Sequence, residues 1–179
     1  MQFKKLPIEG SFLVTHNLFS DDRGIFGREF CSDVINKFFK YHPKFKISQT
    51  NISFNKKRGT LRGFHYQTGS FAETKIITLY QGEIYDVIID LRKNSKTYNK
   101  WQSIKINNNK IQSLIIPEGC ANAFLTLKDN TIVHYITNKK YNQKFERGIK
   151  YDDPKYKVDW PIKPKKISIK DLSWKLNKI

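Results

Sequence analysis

Most of the chain divides into short runs of β-branched and aromatic residues separated by polar, turn-forming stretches. Branched and aromatic side chains favour strands because they pack well on a pleated, half-buried surface. Strands are predicted at 12–19, 45–54, 75–82, 83–92, 101–106, 110–117, 122–127 and 131–137. Many short strands with little intervening helix indicate an all-β jelly roll, a β-sandwich or barrel, and exclude a parallel α/β architecture.

Helical patterning is confined to two segments. Residues 33–42 have amphipathic spacing, which would place Val34, Phe38 and Tyr41 on one face. A second short helix is predicted from about residue 168 onward.

We expect one domain over residues 1–179, because the chain has no repeat, low-complexity tract or flexible linker. No apolar run approaches the roughly 20 residues that cross a bilayer, and the N-terminal residues lack a secretory pattern. A soluble, cytoplasmic protein without membrane contact is therefore expected. In that compartment, Cys31 and Cys120 are interpreted as free thiols.

The formal net charge of +17 suggests an anionic partner, either nucleic acid, a membrane surface or a phosphorylated small molecule. The lysines are spread along the whole chain instead of forming one basic arm or helix face. No recognition helix or RNA-binding motif accompanies them, so we expect no binding to nucleic acid.

The segment GTLRGFHYQ (59–67) is the most informative about chemistry. If it forms a strand, alternation predicts that Arg62 and His65 point to opposite sides of the sheet. A lone histidine on a strand is as often a core residue hydrogen-bonded to the backbone as a functional group. This segment alone leaves both interpretations open.

Five motifs, together with their order and spacing, resemble the family of dTDP-4-dehydrorhamnose 3,5-epimerases over about residues 7 to 172. The motifs are GTLRGFHYQ, PEGCANAF (117–124), YITNKKY (135–141), the WP pair (160–161) and SIKD (168–171). The resemblance implies a cupin jelly roll, a homodimer, and epimerisation of a nucleotide-linked 4-keto sugar.

Epimerisation beside a ketone removes a ring proton and forms an enolate. It needs a base on one face of the ring, an acid on the other, and a positive charge near the ketone oxygen. The resemblance assigns His65 as the base, Tyr135 as the acid and Lys75 as the cation. Asp171 would orient His65 and favour its protonated form; alternatively or in addition, it could cap the second helix.

The resemblance also assigns substrate-binding residues. Arg23, Arg62, Gln49 and Asn51 would contact the diphosphate and ribose, and Tyr141 would line the nucleobase end of the cleft. Arginine suits a diphosphate because its planar fork can donate to two oxygens at once. A simpler alternative is that the two arginines only pair with surface acids.

No metal site is expected. Metal-binding cupins usually supply an HxH pair, a glutamate and a later histidine, but His65 has no histidine two residues away and Asn122 occupies the later position. His134 alternates with Tyr135 and should point to the other side of its strand. Enolate chemistry needs no redox cofactor, so we expect no cofactor of any kind.

Two departures from the family bear on the substrate. The usual GFAHGF reads GCANAF here, so Asn122 replaces a histidine near the sugar or phosphate. The usual RGxFxE keeps Phe26 but places Arg28 at the glutamate position and displaces the acid to Glu29. An arginine would suit the acceptor edge of guanine, which predicts a GDP-linked sugar, a 4-keto-heptose for bacterial capsule polysaccharide.

Three alternatives remain open. A one-residue bulge could return Glu29 to the substrate, which would favour dTDP-4-keto-6-deoxyglucose instead. A sugar 3,4-ketoisomerase would share the fold and the enolate chemistry. A non-catalytic, sugar-nucleotide-binding cupin would keep the fold only, although base, orienting carboxylate, lysine and tyrosine are all present together.

Overall fold

The computed structural model describes residues 1–38 and 44–176, which form two antiparallel sheets and a separate hairpin. Along the chain the elements are β1 (Gln2–Lys5), β2 (Phe12–Thr15), β3 (Leu18–Asp21), β4 (Gly24–Gly27), α1 (Ser32–Phe38), β5 (Gln49–Asn55), β6 (Leu61–Gln67), β7 (Lys75–Gln81), β8 (Glu83–Asp90), β9 (Trp101–Asn107), β10 (Gln112–Ile116), β11 (Cys120–Thr126), β12 (Thr131–Thr137), β13 (Glu146–Gly148) and α2 (Ile169–Leu172). A 3₁₀ turn, Gly69–Phe71, precedes β7.

The six-stranded sheet has the order β1-β2-β10-β7-β12-β5, and the five-stranded sheet has the order β13-β6-β11-β8-β9. Strands β3 and β4 pair only with each other. Each predicted strand segment contains a strand, and the mostly β architecture is confirmed. The largest differences are in two segments: 12–19 is divided between β2 and β3, and 45–54 becomes a strand only at Gln49.

The main hydrophobic core lies between the two facing sheets. Eight residues of this core are at most 1% exposed, and they come from both sheets: Ile77, Leu79, Leu114 and Val133 from one, and Ile84, Ile88, Ile106 and Phe124 from the other. Burying each such side chain contributes about 1.5–3 kcal/mol. The core therefore holds the sheets together across their inner faces.

Further apolar clusters cover the outer faces of both sheets. On the six-stranded sheet, Ile35 of α1 packs with Ile76, Ile115 and Ile136. On the five-stranded sheet, the outward side chains pack against the 149–160 segment, which includes Ile149, Tyr156 and Trp160. Because the central strands are buried on both faces, their sequences are almost continuously apolar.

The helices differ in part from prediction. In α1, Phe38 packs against the core as predicted, but Val34 is exposed and Ile35 is buried in its place. The adjacent Asn36 holds this orientation, since its side chain accepts from Phe45 N at 2.6 Å. Tyr41 lies outside the described residues, and α2 confirms the second predicted helix. No helix in the described ranges is long and apolar enough to span a membrane.

Strand β6 contains a bulge where it pairs with β11. Asn122 lies opposite His65 and Phe124 lies opposite Arg62, so two residues of β6 face one residue of β11. An extra residue of this kind interrupts strand alternation and re-aims the side chains around it. The prediction that Arg62 and His65 point to opposite sides is therefore wrong, and both line the same cavity.

The bulge depends on the close approach of β11 to Gly63. The φ angle of Gly63 is 121°, a value that residues with a side chain rarely adopt. A Cβ atom at this position would lie 2.5 Å from Asn122 O and 2.6 Å from the Cα of Ala123. Both neighbours are backbone atoms, so only glycine fits here.

We predict that Gly63→Ala lowers the free energy of unfolding by about 3 kcal/mol or more, since a backbone clash adds to the strain of positive φ. Gly24→Ala is the matched control, because Gly24 has a φ of 128° but no atom within 4 Å of the added Cβ. This variant should lose only about 1–2 kcal/mol. Urea unfolding of both variants makes the comparison, and equal losses would show that the close approach is unimportant.

Candidate active site

A cavity of about 280 Å³ opens between the two sheets. One wall comes from β5, β7 and β12 of the six-stranded sheet, and the other comes from β6, β11 and β13 of the five-stranded sheet. His65 and Tyr135 therefore belong to different walls. A small ring placed between them can be approached from two sides.

His65 is held by a buried carboxylate. Its Nε2 lies 2.6 Å from Asp171 Oδ1, and the side chain of Asp171 is only 4% exposed, whereas that of His65 is 33% exposed. Gly63 N also donates to Asp171 Oδ2 at 3.4 Å. Burial acts to raise the pKa of Asp171, but the hydrogen bond and charge of His65 outweigh it and leave the pKa below its usual value.

Helix α2 positions this carboxylate. The side chain of Ser168 accepts a hydrogen bond from Asp171 N at 3.0 Å, so Ser168 is the N-cap of the helix. The alternative interpretation of Asp171 as the cap is wrong. Its carboxylate is directed at His65 instead.

Lys75 brings a positive charge into the cavity wall at the start of β7. Its Nζ donates to His65 O at 3.1 Å and lies 3.4 Å from Glu73 Oε1. Its side chain is only 13% exposed, so solvent screens the charge much less than on the surface. Glu73, which the sequence analysis did not select, partly balances this charge.

Tyr135 extends from β12 into the opposite wall. Burial raises the pKa of Tyr135 above its usual value, and the charge of Asp86 raises it further. The phenol therefore keeps its proton at neutral pH. A neutral phenol can donate that proton to a strongly basic carbon.

Asp86 is a buried carboxyl beneath the cavity that the sequence analysis missed. Its Oδ1 accepts from Asn122 Nδ2 at 2.8 Å, while Oδ2 has no hydrogen-bond partner within residues 1–38 and 44–176. Burial raises the pKa of Asp86 to about 8, although Asn122 and the charge of Lys75 lower it. An acid in the middle of the apolar run IYDVII (84–89) was the available signal.

The predicted ribose and base contacts meet at one end of the cavity. Gln49 Oε1 accepts from Tyr141 N at 2.9 Å, and Gln49 Nε2 donates to Asn51 Oδ1 at 2.9 Å. The Tyr141 hydroxyl donates to Glu146 Oε2 at 2.8 Å, and Lys170 lies 2.5 Å from the same oxygen. Glu146 and Lys170 were not selected from the sequence, although Lys170 immediately precedes Asp171.

The two arginines predicted to bind the diphosphate lie in different places. Arg62 lines the cavity, and its Nε donates to Asn55 Oδ1 at 2.8 Å. Arg23 lies in the β3–β4 hairpin, largely exposed, and pairs with Asp21 at 2.6 Å. In the single chain, Arg23 therefore pairs with a surface acid, as the simpler alternative expects. Arg62 does not, because its partner is Asn55.

The remaining hairpin-region residues also lie outside this cavity in the single chain. Phe26 is 77% exposed, and Arg28 is exposed. Glu29 accepts from the Tyr80 hydroxyl at 2.7 Å and lies 2.9 Å from His134 Nδ1. His134 points away from the cavity that Tyr135 lines, which confirms the predicted alternation.

The described residues contain no group of three or more His, Cys, Asp and Glu side chains arranged to hold a metal ion. His42 lies outside the described residues. Cys31 and Cys120 are free thiols, as predicted.

We predict that Asp86→Asn flattens the pH dependence of stability. Between the unfolded pKa of about 4 and the folded pKa of about 8, the unfolded chain releases a proton that the folded protein retains. Stability should therefore fall as pH rises, by up to about 1.4 kcal/mol per pH unit, and the amide variant should lose this slope.

Urea unfolding at about pH 5 and about pH 7.5 measures the slope. Asp171→Asn is the control, because a carboxyl with a lowered pKa contributes stability that is lost only as the pH falls below this range. An unchanged slope in Asp86→Asn would show that Asp86 is ionised in the folded protein.

Comparison with known proteins identifies the family. Residues 5–178 match the sequence model of the dTDP-4-dehydrorhamnose 3,5-epimerase family. The protein of that name from Methanothermobacter thermautotrophicus is 34% identical over 177 residues, which cover 97% of this chain and 93% of that protein. The one from Shigella flexneri is 34% identical over 173 residues, covering 97% and 94%.

A solved structure supports the same relationship. This structure is the Bacillus anthracis dTDP-4-dehydrorhamnose 3,5-epimerase, which was solved with TDP and PPi bound. It superposes on this chain with a TM-score of 0.92 at 32% identity. The match covers 98% of this chain and 99% of that chain. The predicted cupin fold is thereby confirmed. The protein is an enzyme of the epimerase kind, and it belongs to the dTDP-4-dehydrorhamnose 3,5-epimerase family.

Proposed function

We propose that the protein inverts the carbons beside the ketone of a dTDP-linked 4-keto-6-deoxy sugar. The main observation is the placement of a carboxylate-held histidine on one wall of the cavity and a neutral tyrosine on the other. The names of the relatives favour a dTDP sugar over the GDP-linked heptose expected from the sequence. A dTDP-linked sugar is the alternative that the sequence left open.

The first step is proton abstraction by His65. Asp171 accepts the hydrogen on Nε2, which leaves the lone pair of Nδ1 as the basic site. Nδ1 takes the proton from the ring carbon, and the electron pair of the broken C–H bond moves onto the ketone oxygen. The buried carboxylate stabilises the imidazolium that forms.

The second requirement is a positive charge near the new enolate oxygen. Lys75 supplies it from the cavity wall, where its ammonium is held by His65 O and Glu73. Because the ammonium is already oriented, little reorganisation is needed as charge develops on the oxygen. Arg62 lines the same cavity and adds to the positive field.

The third step is protonation from the opposite face. Tyr135 donates its phenolic proton to the enolate carbon, and the electron pair returns to form the C–H bond with inverted configuration. The strongly basic carbon can take a proton from a phenol with a raised pKa. Solvent then restores the starting protonation states of Tyr135 and His65.

The nucleotide is proposed to extend from this centre toward Gln49, Asn51 and Tyr141. These residues form a connected set of hydrogen bonds at the end of the cavity, and the half-exposed Tyr141 ring offers a face for a base. Lys170 and Glu146 lie at the same end, with the Lys170 ammonium 5.9 Å from the centre of the Tyr141 ring.

A GDP-linked sugar remains the second candidate because of one observation. Glu29 is occupied by Tyr80 and His134, so its carboxylate is not free to accept from thymine. The neighbouring Arg28 is exposed and could donate to the acceptor edge of guanine. This arrangement is consistent with the GDP-linked sugar that the sequence predicts from Arg28 and the displaced Glu29.

Incubation in D₂O with dTDP-4-keto-6-deoxyglucose and, separately, with a GDP-4-keto-heptose tests the function. We expect deuterium to enter the dTDP sugar at one or both carbons beside the ketone, read by mass spectrometry. His65→Asn should slow this exchange by at least about 10³-fold, because the base is lost. Tyr135→Phe should retain exchange at the abstracted face but yield little inverted product.

Several outcomes would contradict parts of this proposal. Exchange at the wild-type rate in His65→Asn would refute the base. Turnover of the GDP sugar alone would establish the second candidate, and a ketone moved along the ring, seen by NMR, would identify a ketoisomerase. Binding of both nucleotides without exchange would support the non-catalytic alternative.

We also propose that the chain works as a homodimer. The β3–β4 hairpin exposes Phe19, Ile25 and Phe26, and the outward face of β5 exposes Ile52 and Phe54, an apolar surface that a second copy would cover. Such a copy would also explain why Arg23, expected to bind the diphosphate, lies outside the cavity of its own chain.

Sedimentation equilibrium should give the mass of two chains, and Phe26→Asp should weaken association. If the hairpin serves the neighbouring cavity, mixing the inactive variants His65→Asn and Arg23→Ala should restore activity, because one site of a mixed dimer has both residues intact. A monomer with full activity would contradict the proposal.

A further inference from the structure

We propose that Asp86 and Val87 fix the side-chain amide of Asn122 with its oxygen facing the sugar, so that Asn122 selects substrates that present a hydroxyl donor there. This inference rests on the proposed function and deepens it. It assigns Asn122 a specificity-determining role and makes Asp86 a positioning residue.

The orientation of the amide follows from its partners. Asn122 Nδ2 lies 2.8 Å from Asp86 Oδ1 and 3.2 Å from Val87 O. A backbone carbonyl can only accept, so the atom beside Val87 O must be the NH₂ group whatever the protonation state of Asp86. The flipped amide would place its oxygen against Val87 O and lose that hydrogen bond, even where a protonated Asp86 could donate to it.

The oxygen of the amide is left for the substrate. Both Nδ2 hydrogens are used, and Oδ1 accepts no hydrogen bond from any residue within 1–38 and 44–176. Asn122 lines the cavity directly opposite His65 in the strand pairing and is only 5% exposed. Oδ1 is not among the side-chain atoms that are both fully buried and unpaired, so it opens onto the cavity, where a donor on a bound sugar can reach it.

The same acceptor restricts how the sugar ring can lie. An amide oxygen repels the negative charge of an enolate, whereas the Lys75 ammonium attracts it. The ketone oxygen is therefore directed toward Lys75, and a hydroxyl is directed toward Asn122. Together, Lys75 and Asn122 favour this orientation of the sugar ring over the one in which the ketone faces Asn122 and the hydroxyl faces Lys75.

The depth of Asp86 makes this orientation rigid. Its side chain has no exposure, and it lies on β8 beside Val87, so both acceptors for the amide come from one buried strand. Asn122 itself lies on β11, which pairs with β8 residue by residue, from Cys120↔Asp90 to Thr126↔Ile84. Rotation of the amide would break its hydrogen bond to Val87 O on this buried strand.

The test compares dTDP-4-keto-6-deoxyglucose with its 2-deoxy and 3-deoxy analogues. The wild-type enzyme should exchange deuterium into the parent sugar with a kcat/KM about 10- to 100-fold above that for one of the two analogues. Asn122→Ala should lower kcat/KM for the parent and reduce this preference to within about 2-fold. Equal preference in wild-type and variant would overturn the inference.

Two substitutions of Asp86 separate positioning from folding. Asp86→Asn keeps an oxygen that can accept from Asn122 and should retain the preference, whereas Asp86→Leu has similar size without an acceptor and should lose most of it. A purely structural role would lower kcat/KM for all three sugars equally and leave the ratio unchanged. That result would refute the positioning role.

The dissociation constants of the three sugars, measured by calorimetry on His65→Asn, provide the same ratio without turnover. Wild-type exchange into the parent with no preference between analogues would overturn this inference alone. No exchange into any dTDP sugar would overturn the proposed function, and the binding ratio would still decide the role of Asn122. Failure of all three sugars to bind would refute both.

Discussion

The close contact between β6 and β11 at Gly63 determines how the rest of the site is arranged. Because no side chain separates the strands there, two residues of β6 can lie opposite one residue of β11. The resulting bulge turns both Arg62 and His65 toward the cavity and leaves Gly63 N within reach of Asp171. Because Gly63 has no Cβ, His65 (the proposed base) and the Arg62 cation can both face the cavity, and Gly63 N can contact Asp171.

The cavity combines buried groups whose charges differ sharply. Asp171 is held ionised by its contact with His65, whereas Asp86, without a cationic contact of its own, is held neutral by burial. Lys75 adds a positive charge in the wall between the sheets. Since the two acids have opposite pKa shifts, Asp171 can stabilise an imidazolium at neutral pH, whereas Asp86 becomes charged only at higher pH, where it raises the pKa of Tyr135 further.

Much of the fold and of the candidate site could be predicted from the sequence. The features that could not be predicted depend on contacts between distant parts of the chain. Strand segments are local patterns, and His65, Asp171, Lys75 and Tyr135 could be assigned through motifs that keep their spacing. The bulge could not be predicted, because it arises where Gly63 meets another strand. Asp86 was missed because its environment depends on contacts across the sandwich, and the exposure of Val34 depends on how α1 lies on its sheet.

The pairing of His65 with Asp171 joins residues that are 106 positions apart in the chain. A chain emerging from the ribosome exposes the strands of both sheets well before it supplies this carboxylate. The jelly roll can therefore begin to assemble while its histidine is still unsupported. The proposed proton abstraction therefore depends on the docking of α2, a helix of four residues, beside β6, which is synthesised about a hundred residues earlier.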